Sequence, residues 1–336
     1  MAVLGFVVVL GLLAACSALP ADPILRKLDP GLRYQYVEAD DGELSLQDMW
    51  MSVSDLKEAA RYDPDRQNIY HLFTRDNPTV SQPLLHGSDG LLGITNYNSR
   101  RRTIILVHGW RSGMTSDFIT SLVPAFLRAE DVNLIVLDWN AGAGSINYAT
   151  AVTNTITCGE SLARFISWLN AATGASPFQY HLVGHSLGAH LIGVAGRNLG
   201  GQLAYLTGLE AALPGFITND DRFRPDDARY TEVIHTNAGV LGYLTELGHV
   251  DFYPNGGVNM PGCSSQECDH ARSYFYLAES LTTGGFTGTR CASYAGALTG
   301  NCLLWGRLQM GGLVPKTGSS GIYYLETNAS PPFSKA

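Results

Sequence analysis

The sequence predicts an α/β fold in which a mostly parallel central sheet is covered by helices on both faces. Short, continuous apolar runs are typical of parallel strands buried on both sides. Helix-like stretches separate these runs, so strand and helix alternate along the middle of the chain. The predicted strands are 103–107, 133–138, 180–183, 204–209 and 231–235, and the predicted helices are 114–129, 153–172 and 187–199.

The composition fits a folded chain and argues against a nucleic-acid binder. Of the 336 residues, 45% are hydrophobic, a fraction that can offset the entropy lost when the backbone is ordered. Acidic side chains outnumber basic ones 30 to 22, which gives a formal net charge of −8. Proteins that bind phosphate backbones usually carry the opposite balance. We therefore expect no nucleic-acid partner.

The N-terminus has the features of a secretory signal peptide. An apolar block at 3–15 is followed by small residues at 16–18, which suit signal peptidase. The alternative is a membrane anchor, but the block is short for a bilayer span. We expect a signal peptide at 1–18 and a secreted, extracellular protein. A leader or peripheral segment with no firm pattern follows at 19–64, and the main domain covers 65–336.

Five cysteines remain after the signal segment is removed, and an oxidising compartment favours disulfides. The last four form two close pairs. Sequential pairing, Cys263–Cys268 and Cys291–Cys302, is one of the three connectivities that they allow. The fifth, Cys158, lies on an apolar helical stripe. We therefore expect a buried, unreactive thiol there rather than a catalytic one.

The most informative stretch is GHSLG at 184–188. A GxSxG pattern is weak by itself, but this one directly follows a predicted strand and opens a predicted helix. Small residues flank the serine and fill the start of the helix, which permits a tight turn and close packing on the sheet. This strand–turn–helix context predicts that Ser186 is a nucleophile. The alternative is a serine in an ordinary glycine-rich loop.

A serine nucleophile needs a histidine base and a carboxylate that orients the histidine. In this arrangement the chain order is serine, acid, histidine. The first carboxylate after Ser186 is Glu210, at the end of a predicted strand. Three histidines follow it, namely His235, His249 and His270. The residues alone do not choose among them, although His270 lies two residues after a cysteine whose disulfide would fix a loop.

An oxyanion hole needs two backbone N–H donors near the serine. Leu187, directly after the nucleophile, is the first candidate. The second should come from the loop after an earlier strand, and His108-Gly109-Trp110 follows the 103–107 strand. We expect Trp110 to donate its backbone N–H and its ring to line the acyl pocket.

Seven motifs occur in a characteristic order between about residues 65 and 325. They are VHGW at 107–110, GHSLGAH at 184–190, TGLE at 207–210, DFYPNGG at 251–257, MPGC at 260–263, CDHARS at 268–273 and CASY at 291–294. This set resembles the pancreatic-lipase superfamily, and most closely its insect neutral lipases and venom-type phospholipases A1. The resemblance implies an α/β-hydrolase fold and hydrolysis of lipid carboxylic esters. It also implies a catalytic histidine after the lid, which selects His270.

The first departure from the family concerns the acid. The family usually has Asp in a GLDP setting, whereas this chain has Glu210 in GLEAA. Glu is one methylene longer, so its carboxylate must be retracted, or its loop displaced, to reach His270. Other hydrolases of this fold use Glu, so we retain Glu210 as the triad acid. We do not expect Asp251 to replace it, because Asp251 lies in the family's structural DFYPNGG segment.

The second departure is a very short lid. The cysteines equivalent to Cys263 and Cys268 bracket a long amphipathic lid in the family, whereas four polar residues separate them here. Four residues span about one helical turn and cannot present an apolar face. The segment 235–249, which resembles the family's β9 loop, is also short. Both features accompany phospholipase A1 activity in the family, and an open rim should admit a bulky headgroup. We expect the sequential disulfide pairing.

The remaining departures concern a metal ion and a protein partner. The stretch 220–227 corresponds to the family's calcium loop but has Arg224 where a carboxylate ligand is expected. A cation beside a Ca²⁺ site is costly. We therefore predict no tightly bound calcium, no other metal and no cofactor. Because the chain ends around the catalytic domain, we expect neither a C-terminal β-sandwich domain nor colipase.

The leading hypothesis is a secreted phospholipase A1 that cleaves the sn-1 ester through Ser186, His270 and Glu210. A triacylglycerol or galactolipid lipase is the alternative substrate assignment. A catalytically silent lipid-binding protein, similar to insect yolk proteins, is the alternative from another class, although such proteins typically lose the serine. A peptidase on this fold has only the triad in its favour. We expect a monomer that acts on phospholipid or neutral lipid at a membrane or micelle surface.

Overall fold

The structure is a computed structural model and describes residues 33–38, 44–302 and 306–335. The predicted signal peptide lies outside these residues. The strands are β1 (Tyr34–Glu38), β2 (Leu44–Asp48), β3 (Ile69–Phe73), β4 (Gln82–Leu84), β5 (Thr103–Val107), β6 (Asn133–Asp138), β7 (Tyr180–His185), β8 (Tyr205–Leu209), β9 (Thr231–Ile234), β10 (Val250–Pro254), β11 (Thr287–Cys291), β12 (Arg307–Gln309) and β13 (Gly321–Leu325). The α-helices are α1 (Val53–Ala59), α2 (Pro64–Gln67), α3 (Asp89–Leu92), α4 (Asp117–Ala129), α5 (Asn140–Ala143), α6 (Tyr148–Thr173), α7 (Leu187–Asn198), α8 (Gln266–Ser280) and α9 (Tyr294–Thr299).

The main sheet is parallel through its centre and antiparallel at its edges. Across the described residues it has 11 strands in the order β12-β11-β13-β10-β9-β8-β7-β5-β6-β3-β4. The strands from β13 to β6 run parallel. At the two edges, β11 and β12, and β3 and β4, pair antiparallel. The carboxyl ends of the parallel strands all lie at the same end of the sheet, and folds of this kind bind their ligands there.

Each face of the sheet has its own hydrophobic core. Along β5, Ile104 and Leu106 pack into the core that holds α4 and α8. The alternate residues Ile105 and Val107 pack into the opposite core, with α6 and α7. This alternation follows from the period of two along a strand, and every residue of β5 is buried. The predicted α/β-hydrolase fold, with helices on both faces of a mostly parallel sheet, is confirmed.

Helix α6 begins five residues before its predicted start because its N-terminus is capped. The side chain of Asn147 accepts hydrogen bonds from the backbone N–H groups of Ala149 (2.9 Å) and Thr150 (3.3 Å). Cys158 lies on the buried side of this helix and is free. Its sulfur accepts a hydrogen bond from Asn68 (3.2 Å), and burial raises the pKa of the thiol to about 12. The side chain therefore stays protonated at neutral pH, as expected for an unreactive thiol.

The structure contains both disulfides, Cys263–Cys268 and Cys291–Cys302. The first joins the loop before α8 to the first turn of that helix. The side chain of Ser265 caps the same turn by accepting a hydrogen bond from the backbone N–H of Cys268 (3.2 Å). The start of α8 is thus fixed both covalently and by a cap.

Residues 33–38 and 44–50 contribute the two strands of a hairpin, where the sequence pattern predicts only a peripheral layer. β1 and β2 pair antiparallel, and the side chains of Gln35, Val37 and Met49 are buried. The side chain of Gln35 accepts a hydrogen bond from the backbone N–H of Gly215 (3.3 Å). The hairpin is therefore docked on the main domain.

In the described residues, no helix combines the length and apolar character needed to cross a bilayer.

An ion pair ties α7 to the loop at 220–227. Arg197 donates to both carboxylate oxygens of Asp227, at 2.9 and 3.0 Å. The backbone N–H of Arg224 donates to the same carboxylate (2.8 Å), whose side chain is 1% exposed. Burial raises the pKa of Asp227, and the arginine opposes this effect. The paired cation therefore allows this carboxylate to remain charged inside the protein.

We predict that Arg197→Met lowers the free energy of unfolding by about 3 kcal/mol, because it leaves a buried carboxylate without its cation. The matched control is Arg164→Met, which removes the half-exposed pair with Asp65 and should cost less than about 1 kcal/mol. Denaturant unfolding at pH 7 measures both values. Equal stability of the two variants would contradict the assignment.

Candidate functional site

Ser186 lies at the junction of β7 and α7 in a strained backbone conformation. Its φ is 55° and its ψ is −121°, a region that residues other than glycine rarely adopt. Its backbone N–H donates to the carbonyl of Leu209 (3.1 Å), which anchors the turn to β8. A Cβ at Gly188 would overlap the carbonyl of Val107, so glycine is needed for α7 to pack this closely on β5. The serine hydroxyl is thereby presented at the carboxyl end of the sheet.

The loop after β5 lies directly against Ser186. A Cβ at Gly109 would be 2.9 Å from the Cβ of Ser186. The ring N–H of Trp110 donates to the carbonyl of Ser145 (2.8 Å), which fixes the indole in the wall of the site. Leu187 is the first residue of α7, and the N–H groups of a first helical turn have no intrahelical partner. Both predicted oxyanion residues therefore lie in segments that meet at Ser186.

Ser186 and His270 line the same pocket, which has a volume of about 320 Å³. Its buried lining is mainly apolar, whereas its solvent-exposed lining is polar. The buried apolar side chains are Val37, Trp110, Phe118, Tyr148, Pro214 and Leu241, and the exposed polar ones are Thr115, Asp117 and Glu267. An apolar interior with a polar rim fits a molecule with one hydrocarbon part and one polar part.

His270 lies in the second turn of α8, packed among aromatic rings. Its ring centroid is 4.5 Å from that of His185, which also contacts Phe118 and Tyr274. Burial lowers the pKa of His270 well below its ordinary value, and His185 adds to this effect. His270 is therefore neutral at pH 7, as a general base must be. Among the described residues, its Nδ1 atom is buried without a hydrogen-bond partner.

Glu210 follows β8 and is completely buried, but the structure does not bring it to His270. Its Oε2 accepts hydrogen bonds from the backbone N–H and the hydroxyl of Thr236. Its Oε1 lies so close to Gly242 that a Cβ there would overlap it, and this oxygen has no hydrogen-bond partner in the described chain. Within the same residues, no hydrogen bond joins His270 to Ser186. The carboxylate instead lies at the end of β9, against Thr236.

A buried network lies next to Glu210 and was not predicted from the sequence. Thr236 follows His235, whose ring nitrogens face two acceptors, the carbonyl of Tyr243 (3.1 Å) and the carboxylate of Asp251 (2.9 Å). Burial raises the pKa of Glu210 to about 7, and the His235 ring is the main opposing influence. The strand-end position of His235 was the only sequence signal for this network.

The two alternative histidines have structural partners and do not line the pocket. His235 pairs with Asp251, which also accepts hydrogen bonds from the backbone N–H groups of Leu247 and Gly248, both at 3.0 Å. His249 hydrogen-bonds through Nδ1 to the hydroxyl of Thr231 (2.9 Å). Asp251 is thus fully engaged at the end of the β9 loop, away from Ser186.

The calcium ion that the resemblance implies does not fit the loop at 220–227. Arg197 occupies the carboxylate of Asp227 and also lies 3.5 Å from Asp221. Arg224 contributes its backbone N–H to Asp227. A cationic side chain thus takes the oxygens that a metal ion would need. Across the part of the chain that the structure describes, no group of three or more His, Cys, Asp or Glu side chains could hold a metal ion.

The known proteins to which this chain is similar are lipases. The family model described as Lipase matches residues 37–333. The chain is 38% identical over 243 residues to lipase member H of Xenopus tropicalis, which covers 69% of this chain and 52% of that protein. It is 37% identical over 284 residues to lipase member H of Oryctolagus cuniculus, with coverages of 79% and 60%. It is 33% identical over 308 residues to pancreatic triacylglycerol lipase of Homo sapiens, with coverages of 81% and 66%. The chain therefore spans about half to two thirds of the length of these relatives.

We predict that Glu210→Gln stabilises the fold at alkaline pH relative to wild type. Burial raises the pKa of Glu210 from 4.5 to about 7, so the folded state holds its proton more tightly than the unfolded state. The associated stability is present below pH 4.5 and is lost as the pH rises through about 7. Gln cannot ionise, so its advantage should grow by about 2–3 kcal/mol between pH 5 and pH 8.

Denaturant unfolding at the two pH values measures this difference. The control is Glu160→Gln, on the exposed side of α6, for which we expect no change between the two pH values. A Glu210→Gln advantage that is the same at both pH values would show that the carboxylate is not held in a desolvated site.

Proposed function

Since the chain belongs to the lipase family of the pancreatic-lipase superfamily, we propose that it is a secreted lipid esterase that cleaves the sn-1 acyl ester of phospholipids. The observation that carries this proposal is the placement of Ser186 and His270 in one pocket, with the 108–110 loop packed against the serine. The two disulfides and the predicted signal peptide support an extracellular location.

In the proposed reaction, the Ser186 hydroxyl attacks the acyl carbonyl while His270 takes its proton. The backbone N–H groups of Trp110 and Leu187 hold the negative charge that develops on the carbonyl oxygen. The C–O bond to the leaving alcohol then breaks, and His270 returns the proton to that oxygen. Water, deprotonated by His270, next attacks the acyl-enzyme. The fatty acid leaves, and the proton returns to Ser186.

Glu210 is the proposed acid that orients His270. Oε1 of Glu210 and Nδ1 of His270 are both buried without a partner. Leaving a buried polar group unpaired costs about 1–3 kcal/mol, so a hydrogen bond between these two atoms would recover part of that energy. To form it, the Glu210 carboxylate would have to leave Thr236, to which it is hydrogen-bonded in the structure. The triad acid is therefore expected to change position during turnover.

The rim of the pocket favours a substrate with a polar headgroup. Between Cys263 and Cys268, Ser265 caps α8, and Gln266 and Glu267 form its first turn. The segment is thus part of the helix that carries His270 and forms no apolar flap over the pocket. The exposed lining is polar, which suits a phospholipid headgroup better than a third acyl chain.

Hydrolysis of a phosphatidylcholine with different labels on its two acyl chains tests this proposal. We expect wild type to release the sn-1 chain. Ser186→Ala should lower kcat by about 10⁴-fold or more, and Glu210→Ala by at least about 10²-fold. The controls are Ser167→Ala and Glu160→Ala on α6, which replace the same residue types away from the pocket and should keep full activity.

Other results would redirect the proposal in distinct ways. Cleavage of triacylglycerol but not of phosphatidylcholine would leave the proposed mechanism in place. The substrate would then be triacylglycerol, which the name of the human relative mentions. Turnover that survives Ser186→Ala would overturn the mechanism. A folded protein that hydrolyses no ester would support the silent lipid-binding alternative, and Glu210 would be the first residue to examine.

We also predict no jump in activity at the critical micelle concentration of a short-chain phosphatidylcholine. Such a jump arises when a lid opens at an interface, and the four residues between Cys263 and Cys268 cannot cover the pocket. The initial rate should rise smoothly with substrate through this concentration. A sharp increase of about tenfold or more would show that another segment closes the pocket.

A further inference from the structure

Exposed apolar side chains are concentrated in the N-terminal hairpin and the residues just after it. Six of the 15 large hydrophobic side chains that are exposed in the described residues fall between positions 34 and 56. Four of them belong to the hairpin itself: Tyr34, Tyr36, Leu46 and Trp50, which are 54%, 56%, 55% and 61% exposed. Single exposed apolar residues are common, but a cluster indicates an interaction surface.

The pairing of β1 and β2 places these side chains together. Tyr36 lies directly opposite Leu46, and Tyr34 lies opposite Asp48. Directly opposed residues of two strands point to the same face of the hairpin. Trp50 joins this face because the Arg33 guanidinium lies over both its ring (4.8 Å) and that of Tyr34 (5.1 Å). We call this surface, formed by Tyr34, Tyr36, Leu46 and Trp50, the aromatic face.

The opposite side of the hairpin forms part of the pocket wall. Val37 lines the pocket together with Ser186 and His270. Val37 directly follows Tyr36, and neighbouring residues of a strand point to opposite faces. Along β1, Val37 therefore faces the pocket and its neighbour Tyr36 faces solvent. The aromatic face and the pocket wall are therefore the two sides of one hairpin, and Tyr36 is the direct neighbour of a residue that lines the pocket.

The charge of this surface indicates the kind of lipid it suits. Arg33 pairs with Asp48 (2.9 Å), so these two charges on the aromatic face cancel. The whole chain carries a formal net charge of −8, which repels an anionic membrane. Tyr and Trp side chains favour the headgroup level of a bilayer, where an apolar ring and a polar tip are both accommodated. These properties fit an uncharged or zwitterionic lipid surface.

We propose that the aromatic face docks the protein onto a zwitterionic phospholipid–water interface and so sets the pocket mouth against the lipid. This inference rests on the proposed function, because docking would bring the pocket to its lipid substrate. It concerns binding to the lipid surface, however, and not turnover. Docking depends on insertion of aromatic and aliphatic side chains, so added salt should weaken it little.

Vesicle binding by a protein that cannot hydrolyse its target tests the proposal. The purified full chain carrying Ser186→Ala is sedimented with vesicles of phosphatidylcholine, and separately with vesicles that also contain phosphatidylserine. Replacing three residues of the aromatic face, as Tyr36→Ser, Leu46→Ser and Trp50→Ser together, should weaken binding to phosphatidylcholine by at least about tenfold. The control is Ile94→Ser with Val314→Ser, which removes exposed apolar side chains elsewhere and should leave binding unchanged.

A second readout separates docking from folding and from the pocket. In the protein that retains Ser186, the triple substitution should leave turnover of a dissolved short-chain ester unchanged, because none of the three residues lines the pocket. If wild type cleaves no ester but the Ser186→Ala protein still binds vesicles through this face, the docking proposal stands and the proposed function fails.

Three results would overturn the docking proposal. The first is equal vesicle binding by the triple variant and its parent. The second is no binding of the parent to phosphatidylcholine, or preferential binding to the anionic vesicles. The third is a concentration-dependent dimer that the triple substitution dissociates, since the aromatic face would then be covered by a second copy of the chain.

Discussion

The close packing of α7 on the parallel sheet is the constraint on which the site depends. The surroundings of Ser186 hold its positive φ: its N–H donates to the carbonyl of Leu209, and Gly188 lies against the carbonyl of Val107. The same contact brings the end of β5 to Ser186, so that the loop carrying Trp110 becomes part of the pocket wall. The packing of the two hydrophobic cores thus stabilises the strained backbone conformation of Ser186.

Glu210, the proposed acid, is held in place by a different set of interactions. Ser186 and His270 meet in the pocket, whereas the Glu210 carboxylate is held in a dry niche by Thr236 and bounded by Gly242. The His235 ring opposes the effect of burial on the pKa of Glu210, and Asp251 in turn holds His235 by a hydrogen bond. The Glu210 carboxylate therefore lies beside a buried pair, His235 and Asp251, that does not line the pocket.

The sequence predicted those parts whose signals are local. Strands 103–107 and 133–138 match the structure, because runs buried on both faces are continuous and apolar. The start of α7 was equally clear from Ser186 and its flanking residues. The hairpin and the edge strands were missed because they are short and only partly buried. The contact of Glu210 with Thr236 joins positions 26 residues apart, and no local pattern reports such a contact. The role of Glu210 as the triad acid stays a prediction.

The disulfide at the start of α8 makes the position of the proposed base dependent on redox state. Cys263 and Cys268 are only five positions apart, so the loop they close is small and its entropic contribution to global stability is correspondingly modest. Its effect is local, because Cys268 lies in the first helical turn and His270 follows two residues later. Reduction would free this turn to fray while the two cores remained intact. A thiol-rich environment would therefore disturb the proposed base before it unfolded the protein.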